Sequence, residues 1–225
     1  MNTKHALFGV ALLAATAAAP AFAQRSTAIT APVRYSLLGG TTVPSGVDVA
    51  SAEVGWPSAT FGFTHGTSAN TDIGFKFDLI YGLEYTDIGQ FGIGARVPLR
   101  MMVMRRDRLS AVVHIDPGLK LYTTNINTTF GIQFPVGVTV GYAAQPQLNV
   151  AFGLELPMFL AFISPHGPTQ SQVDFFIGPL FGPAVEYHVD RQLTVGLNTR
   201  FGPMFEAKDG SRFGFITQLL LAYRL

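Results

Sequence analysis

The sequence predicts an all-β protein, and more specifically a transmembrane antiparallel up-and-down β-barrel of about ten strands. Charged residues are only 13 % of the 225 residues, whereas 48 % are hydrophobic and 12 % are aromatic, which is a poor composition for a surface that faces water. The 24 glycines argue against helices, where each glycine costs about 1 kcal/mol. Most of the chain alternates between apolar and polar residues, and this period of two is typical of strands.

Residues 1–23 have the pattern of a cleaved secretory signal peptide. Lys4 precedes an apolar run that is too short to cross a membrane as a helix, and Ala21 and Ala23 supply the small residues of a cleavage site. We therefore expect an exported protein with one barrel domain, residues 24–225. The chain has no cysteine, which excludes disulfides, thiolate metal sites and thiol nucleophiles. Neither a cofactor nor a metal is predicted.

The alternation is clearest in residues 109–122. Ala111 and Val113 fall on one face of this predicted strand, and His114 and Asp116 fall on the other. The total is ten strands, or eight if the first two form an N-terminal segment instead. The other strands are predicted over residues 72–81, 91–103, 130–142, 148–158, 173–187, 193–201 and 213–225, with weaker ones over Val33–Val43 and about Ala52–Thr64, the latter with a β-bulge at Pro57-Ser58.

The second face of the strands decides the class of β protein. In a soluble sandwich that face would carry many charged residues into water, but here it carries mostly glycine with sparse charges of both signs. The predicted strands also approach the roughly 9–11 residues that cross a bilayer at a tilt. Large apolar residues would then face lipid, with small and polar residues inside. Tyr81, Tyr122, Tyr142, Tyr187 and Tyr223 would mark the membrane interfaces. A soluble barrel or sandwich is the alternative.

The lengths of the connections predict an orientation. Short polar connections alternate along the chain with longer ones, and membrane barrels of the bacterial outer membrane have short periplasmic turns and longer external loops. Both termini are therefore expected on the periplasmic side. The short set is Gly66–Thr71, Arg105–Arg108, Ala143–Gln147 and His188–Arg191, and the longer set is Pro44–Ser51, Gly82–Gln90, Thr123–Thr128, Ser164–Gln172 and Pro203–Arg212.

The polar face is expected to hold a network of paired charges. Because an unpaired buried charge is costly, these groups should neutralise one another and fill a small barrel. The alternative is a polar path for small solutes, with Arg96 and Arg100 as a basic stripe. The predicted network is Lys76, Asp78, Arg96, Arg100, His114, Asp116, Lys120, Glu155, Glu186 and Arg200, with Arg34, Glu53, Asp72, Asp174 and Arg224 also expected inside.

One pair in this network has the residue types of a general base. His114 and Asp116 lie two residues apart on one face of a strand, and Ser110 shares that face, so a carboxylate could orient the imidazole. No sequence motif of a hydrolase accompanies them, and the pair falls in the middle of a strand. We therefore predict ion pairing for Asp116 rather than catalysis, and no catalytic residue is assigned.

The C-terminus resembles that of the small outer-membrane β-barrel proteins of Gram-negative bacteria. Leu219, Leu221, Tyr223 and Leu225 look like the terminal signal that the barrel-assembly machinery reads, with hydrophobic residues at alternating positions. The resemblance implies insertion into the outer membrane by that machinery, contact with outer-membrane lipids, and a monomer.

These observations give one expected function and two alternatives. We expect an integral outer-membrane barrel without enzymatic activity, structural or weakly pore-forming. The alternatives are a selective channel for small solutes and an outer-membrane enzyme that hydrolyses lipid or peptide. Nucleic acid is not an expected partner, because the 15 basic and 14 acidic residues leave no basic excess to neutralise phosphates.

Overall fold

The computed structural model describes residues 35–82, 91–168, 170–207 and 210–225, and none of these residues is helical. Accordingly, this part of the chain has no helix that could span a membrane. The expected signal peptide 1–23, with Ala21 and Ala23, lies outside the described residues. The strands are β1 Asp48–Trp56, β2 Ser58–Gly66, β3 Thr71–Ile80, β4 Phe91–Arg96, β5 Leu99–Arg106, β6 Leu109–Ile115, β7 Gly118–Thr123, β8 Asn127–Gln133, β9 Val136–Gln145, β10 Leu148–Leu156, β11 Met158–Pro165, β12 Gln172–Ile177, β13 Leu180–His188, β14 Leu193–Glu206 and β15 Gly210–Arg224.

All fifteen strands belong to one antiparallel sheet, which confirms the all-β, antiparallel prediction. Their order is β12-β11-β8-β7-β4-β3-β2-β1-β15-β14-β13-β10-β9-β6-β5. The first and last strands of the chain are neighbours, with Val49 opposite Arg224 and Trp56 opposite Thr217. In addition, β5 at one end of the order pairs with β3, and β12 at the other end pairs with β14.

The expected count of about ten strands differs from the fifteen observed. Four of the expected strands are each broken in two, at Pro98, Pro117, Pro135 and Pro179, and the expected strand 148–158 ends at Pro157, after which the chain continues as β11. Proline has no backbone N–H and cannot donate to the ladder of a central strand. The periodicity continues across each break, so the hydrophobic pattern alone does not reveal it.

The prediction of the two weak N-terminal strands is wrong. The described part of Val33–Val43 is not a strand, and residues 35–43 run across the polar face of the sheet; we call this segment the strap. The expected strand Ala52–Thr64 is instead the hairpin of β1 and β2, and the chain reverses at Pro57 rather than forming a bulge. Val54 and Phe61 stand at an even-numbered and an odd-numbered position of the sequence, yet both are exposed on the same face because they belong to two different strands.

The two faces of the sheet differ in composition as the alternation predicts. In β13, Val185 and Tyr187 are exposed at 40 % and 43 %, whereas Glu186 and His188 are exposed at 1 % and 0 %. We call the exposed surface the apolar face and the buried one the polar face. The predicted C-terminal signal residues lie on the apolar face; Leu219, Leu221, Tyr223 and Leu225 are exposed at 53, 48, 45 and 68 %.

The polar face is divided along the strands into three layers. An apolar cluster around the strap occupies the end with the short turns and includes Tyr35, Val43 and Leu220. Charged side chains occupy the middle. A second apolar cluster, which includes Phe159 and Phe176, occupies the opposite strand ends. This second cluster also contains Ile80, Tyr122, Ala161, Leu180 and Met204, so Tyr122 lies inside rather than at a membrane interface, contrary to the prediction.

The close approach of β13 and β14 gives a test of this packing. A Cβ atom added at Gly202 would lie 2.0 Å from the Pro179 carbonyl oxygen, whereas one added at Gly167 would meet no atom within 4 Å. We expect Gly202→Ala to lower the free energy of unfolding by about 1–3 kcal/mol, because backbone must shift to admit the methyl group. Gly167→Ala should leave it unchanged. Urea unfolding of both variants measures the difference, and equal stabilities would contradict the close contact between the strands.

Candidate functional site

The ten residues predicted to form the network all lie on the polar face, and each is buried or half-buried. They come from strands throughout the sheet, so their proximity is a property of the fold rather than of any one sequence motif. Seven of them make the ion pairs and hydrogen bonds described below, Lys120 contacts the Phe159 ring, and His114 and Glu155 line a cavity beside these groups.

Arg96 is the centre of the largest group of charges. Its Nε and Nη2 atoms donate to both carboxylate oxygens of Asp78 at 2.9 and 2.8 Å, and its Nη1 atom lies 3.6 Å from Asp116 Oδ2. The Thr60 hydroxyl donates to Asp78 at 2.6 Å. This bidentate geometry is the strong form of an arginine–carboxylate pair, and it joins β3 and β4 to the break after β6.

Two further pairs join different strands, one between β3 and β1 on either side of β2 and one between the paired strands β5 and β3. Lys76 Nζ donates to Glu53 Oε1 at 2.6 Å, and the Glu53 side chain is only 7 % exposed. Arg100 donates from Nε and Nη2 to the two oxygens of Asp72 at 2.9 and 2.6 Å. Each pair joins opposite charges that burial would otherwise make costly.

Arg100 also holds the strap. Its Nη1 atom donates to the backbone carbonyls of Ser36 and Leu37 at 3.0 and 2.9 Å. Its partner Asp72 accepts the backbone N–H of Val43 at 2.7 Å. One ion pair of the sheet therefore binds both a carbonyl pair and an amide of the strap.

Glu186 binds the same segment from the other side. Its Oε1 atom accepts the N–H groups of Leu37 and Leu38 at 2.8 and 3.1 Å, and its Oε2 atom accepts the Ser36 hydroxyl. Tyr35 adds a hydroxyl–hydroxyl hydrogen bond of 3.1 Å to Thr194. Burial raises the pKa of the Tyr35 hydroxyl, so this group stays neutral at physiological pH. The strap is thus held between the carboxyl group of Glu186 and the guanidinium of Arg100.

Arg200 has a structural role in the wall of the sheet. Its Nη1 atom donates to the carbonyls of Gly182, Pro183 and Thr199 at 2.9, 3.2 and 3.0 Å. Pro183 cannot donate to the neighbouring strand, and the guanidinium satisfies carbonyl oxygens at that irregularity.

Lys120 places its ammonium 5.7 Å from the centre of the Phe159 ring, where a cation–π attraction is favourable.

The catalytic alternative gains little from the geometry. Asp116 contacts Arg96, as expected of an ion-pair partner, and its Oδ1 atom has no hydrogen-bond partner in the part of the chain that the structure describes. The His114 imidazole instead packs against Gly137, where an added Cβ would lie 2.6 Å from its Cε1 and Nε2 atoms. Ser110 is buried beneath the strap, since a Cβ on Gly40 would lie 2.4 Å from its carbonyl oxygen. These residues are not arranged as a nucleophile, base and orienting group.

Two cavities lie within the charged layer. The larger, about 130 Å³, is lined by Leu37 and Gly39 of the strap and by charged groups that include Arg100. The smaller, about 80 Å³, extends toward Phe159 and Phe176 of the second apolar cluster. Arg96, Glu155, Ile216 and Gln218 line both. Such volumes hold a few water molecules and are far smaller than pockets for drug-sized ligands.

The strap is the part of the site that sequence reasoning misses. Its weak alternation predicts a strand, although Gly39 and Gly40 and the nearby Pro44 argue for irregular backbone.

Among the described residues, no group of three or more histidine, cysteine, aspartate or glutamate side chains could hold a metal ion. No protein-family model matches the chain, and no curated protein matches it.

The Arg96 group gives a second test. Arg96→Met removes the cation that faces Asp78 and Asp116, and we expect the free energy of unfolding to fall by about 3–5 kcal/mol because two buried carboxylates lose their partner. The double variant Arg96→Met/Asp78→Asn should recover part of this loss. As a control, Arg212→Met removes an exposed guanidinium that lies 3.3 Å from the half-buried Glu206, and it should cost about 1 kcal/mol or less. A small effect of Arg96→Met in denaturant titrations would contradict the structural role of the network.

Proposed function

We propose that this protein is an integral β-barrel of the outer membrane of a Gram-negative bacterium, with an occluded interior and a structural, non-enzymatic role. The apolar face is the observation that carries this proposal. Phe61, Phe75, Phe91, Phe152 and Phe213 are exposed at 52, 52, 67, 55 and 68 %. Soluble monomers rarely leave such large contiguous apolar surfaces in water, whereas lipid is the natural solvent for them.

The strand pairings support closure of the sheet into a barrel. When the broken strands are joined across their prolines, each strand pairs with the strands before and after it in the chain, and β15 pairs with β1. This circuit has ten members, and closure leaves no edge with unpaired backbone groups, as a membrane requires. The strap contacts strands on several sides of the circuit, namely β3, β5, β6, β9, β13 and β14.

The dimensions suit a bilayer. β14 and β15 have 14 and 15 residues, more than the roughly 9–11 that a tilted strand needs to cross the hydrocarbon core. Tyr142, Tyr187 and Tyr223 are exposed near the short turns, and Tyr81 is exposed near the opposite end. Exposed tyrosines at both ends are typical of the interfacial aromatic girdles of membrane barrels.

The contents of the interior favour a structural role over an open channel. Ion pairs, the strap and the second apolar cluster occupy the three layers of the polar face. A selective channel for small solutes needs a continuous hydrated path, and the two cavities with their charged linings make it the second candidate. Outer-membrane lipids are the proposed partners, along with the assembly machinery that would read the C-terminal strand during insertion of a monomer.

Fractionation of cells that express the full chain tests the localisation. We expect the protein to stay with the outer membrane after alkaline extraction, to need detergent for release, and to migrate differently on gels before and after heating. Appearance in the soluble fraction after osmotic shock would contradict the proposal.

Conductance measurements separate the two candidate functions. Folded protein in a planar lipid bilayer should give no regular current steps, because the interior is occluded. Stable, reproducible steps from the same preparation would favour the channel instead.

A charge on the apolar face tests the contact with lipid directly. Val138 lies on this face in β9, near the middle of the joined strand. We expect Val138→Arg to lower the free energy of unfolding in lipid vesicles by about 2–4 kcal/mol, the cost of an arginine near the bilayer midplane. Ser68→Arg, in an exposed turn, is the matched control and should have little effect. Equal stability of the two variants would contradict lipid contact at Val138.

A further inference from the structure

We propose that the strap is a displaceable plug, and that its release admits small hydrophilic solutes to the interior from the end with the short turns. This inference rests on the proposed barrel and specifies how its interior is closed. The strap is a thin partition. Leu37, Leu38 and Gly39 line the internal cavity of about 130 Å³, while Ser36, Gly40 and Thr41 line an open groove of about 530 Å³ on the other side, beside the turn at Asp107.

The strap is anchored at its two ends by the buried side chains of Tyr35 and Val43, and polar contacts that water can replace hold the residues between them. Glu186 accepts amide hydrogen bonds from Leu37 and Leu38, and Arg100 donates to the carbonyls of Ser36 and Leu37. Hydrogen bonds to charged groups are strong when water is excluded, but water can replace each of them once the strap moves. The strap has no ladder of strand hydrogen bonds that would have to break cooperatively.

The sheet also accommodates the strap through a glycine. A Cβ atom added at Gly141 in β9 would lie 2.4 Å from Gly40 N, 3.1 Å from Gly40 Cα and 3.5 Å from Gly39 C. All three nearest atoms belong to the strap. A side chain at position 141 would therefore clash with the strap, and it would leave the charges of the polar face unaltered.

The absence of cysteine from the chain provides a clean reporter of access. Ser51 lines the internal cavity behind the strap, and Ser51→Cys is a small change. A small, charged methanethiosulfonate reagent would measure its accessibility in folded protein. Ser68→Cys, in an exposed turn, would give the labelling rate of a freely accessible thiol.

Three variants are compared in the Ser51→Cys background. Gly141→Val displaces the strap by a steric clash, and Glu186→Ala displaces it by removing the two oxygens that accept three hydrogen bonds from the strap, so that one variant remains informative if the other does not fold. Thr139→Val is the control because it lies on the same face of β9, keeps the size of the side chain, and contacts the cavity. Heat-dependent gel migration shows which variants are folded.

We expect slow labelling of Ser51→Cys alone and with Thr139→Val. Labelling should be at least about tenfold faster with Gly141→Val, because the clash disfavours the seated strap, and with Glu186→Ala, because the loss of three hydrogen bonds shifts the equilibrium by at least this factor. Fast labelling with the strap unaltered, or slow labelling in both folded displacement variants, would overturn the plug. Flotation of the same proteins with lipid vesicles separates this outcome from failure of the proposed function, because a soluble protein would not float whatever its labelling rate.

Discussion

The different demands of the two faces of each strand are the constraint on which the rest of the structure depends. One face carries phenylalanine, leucine and valine side chains, and the other carries charges of both signs. In the described residues the charges lie on the buried face of the sheet, and the large apolar side chains lie on the exposed face. Glu186 and Tyr187, adjacent in β13, illustrate the split at 1 % and 43 % exposure. The proposed function assigns lipid as the solvent of the exposed apolar face.

Burying an unpaired charge is costly, so the charged side chains on the buried polar face need partners. Arg96 binds Asp78 with two hydrogen bonds, and Arg100 binds Asp72 in the same way. These pairs link neighbouring strands. They therefore offset the electrostatic cost of burying the charges and also favour one register between the paired strands. Glu186 and Arg200 differ from these pairs, since Glu186 accepts hydrogen bonds from backbone amides and a hydroxyl of the strap and Arg200 donates to backbone carbonyls. The N-terminal segment thus completes the polar face.

The sequence predicts the alternation of the faces and the identity of the buried charges, because both follow from a period of two. It does not predict the breaks at prolines such as Pro135, since the alternation passes through them unchanged. The strap escapes prediction for a different reason: Ser36, Leu37 and Leu38 are held by Glu186 and Arg100, which lie far away in the chain. The prediction for Tyr122 is wrong for the same reason, because its neighbour Phe159 comes from another hairpin. Long-range partners carry no local signal.

The central claim, that the apolar face meets lipid, is tested most directly by spin labels on single cysteines in vesicles. Phe75 on this face is exposed at 52 %, and a label there should collide often with oxygen, which concentrates in the bilayer, and rarely with a water-soluble nickel complex. A label at Ser68, in a short turn, should show the opposite preference. If the label at position 75 were as accessible to the nickel complex as the label at position 68, the apolar face would meet water, and the membrane account would be wrong.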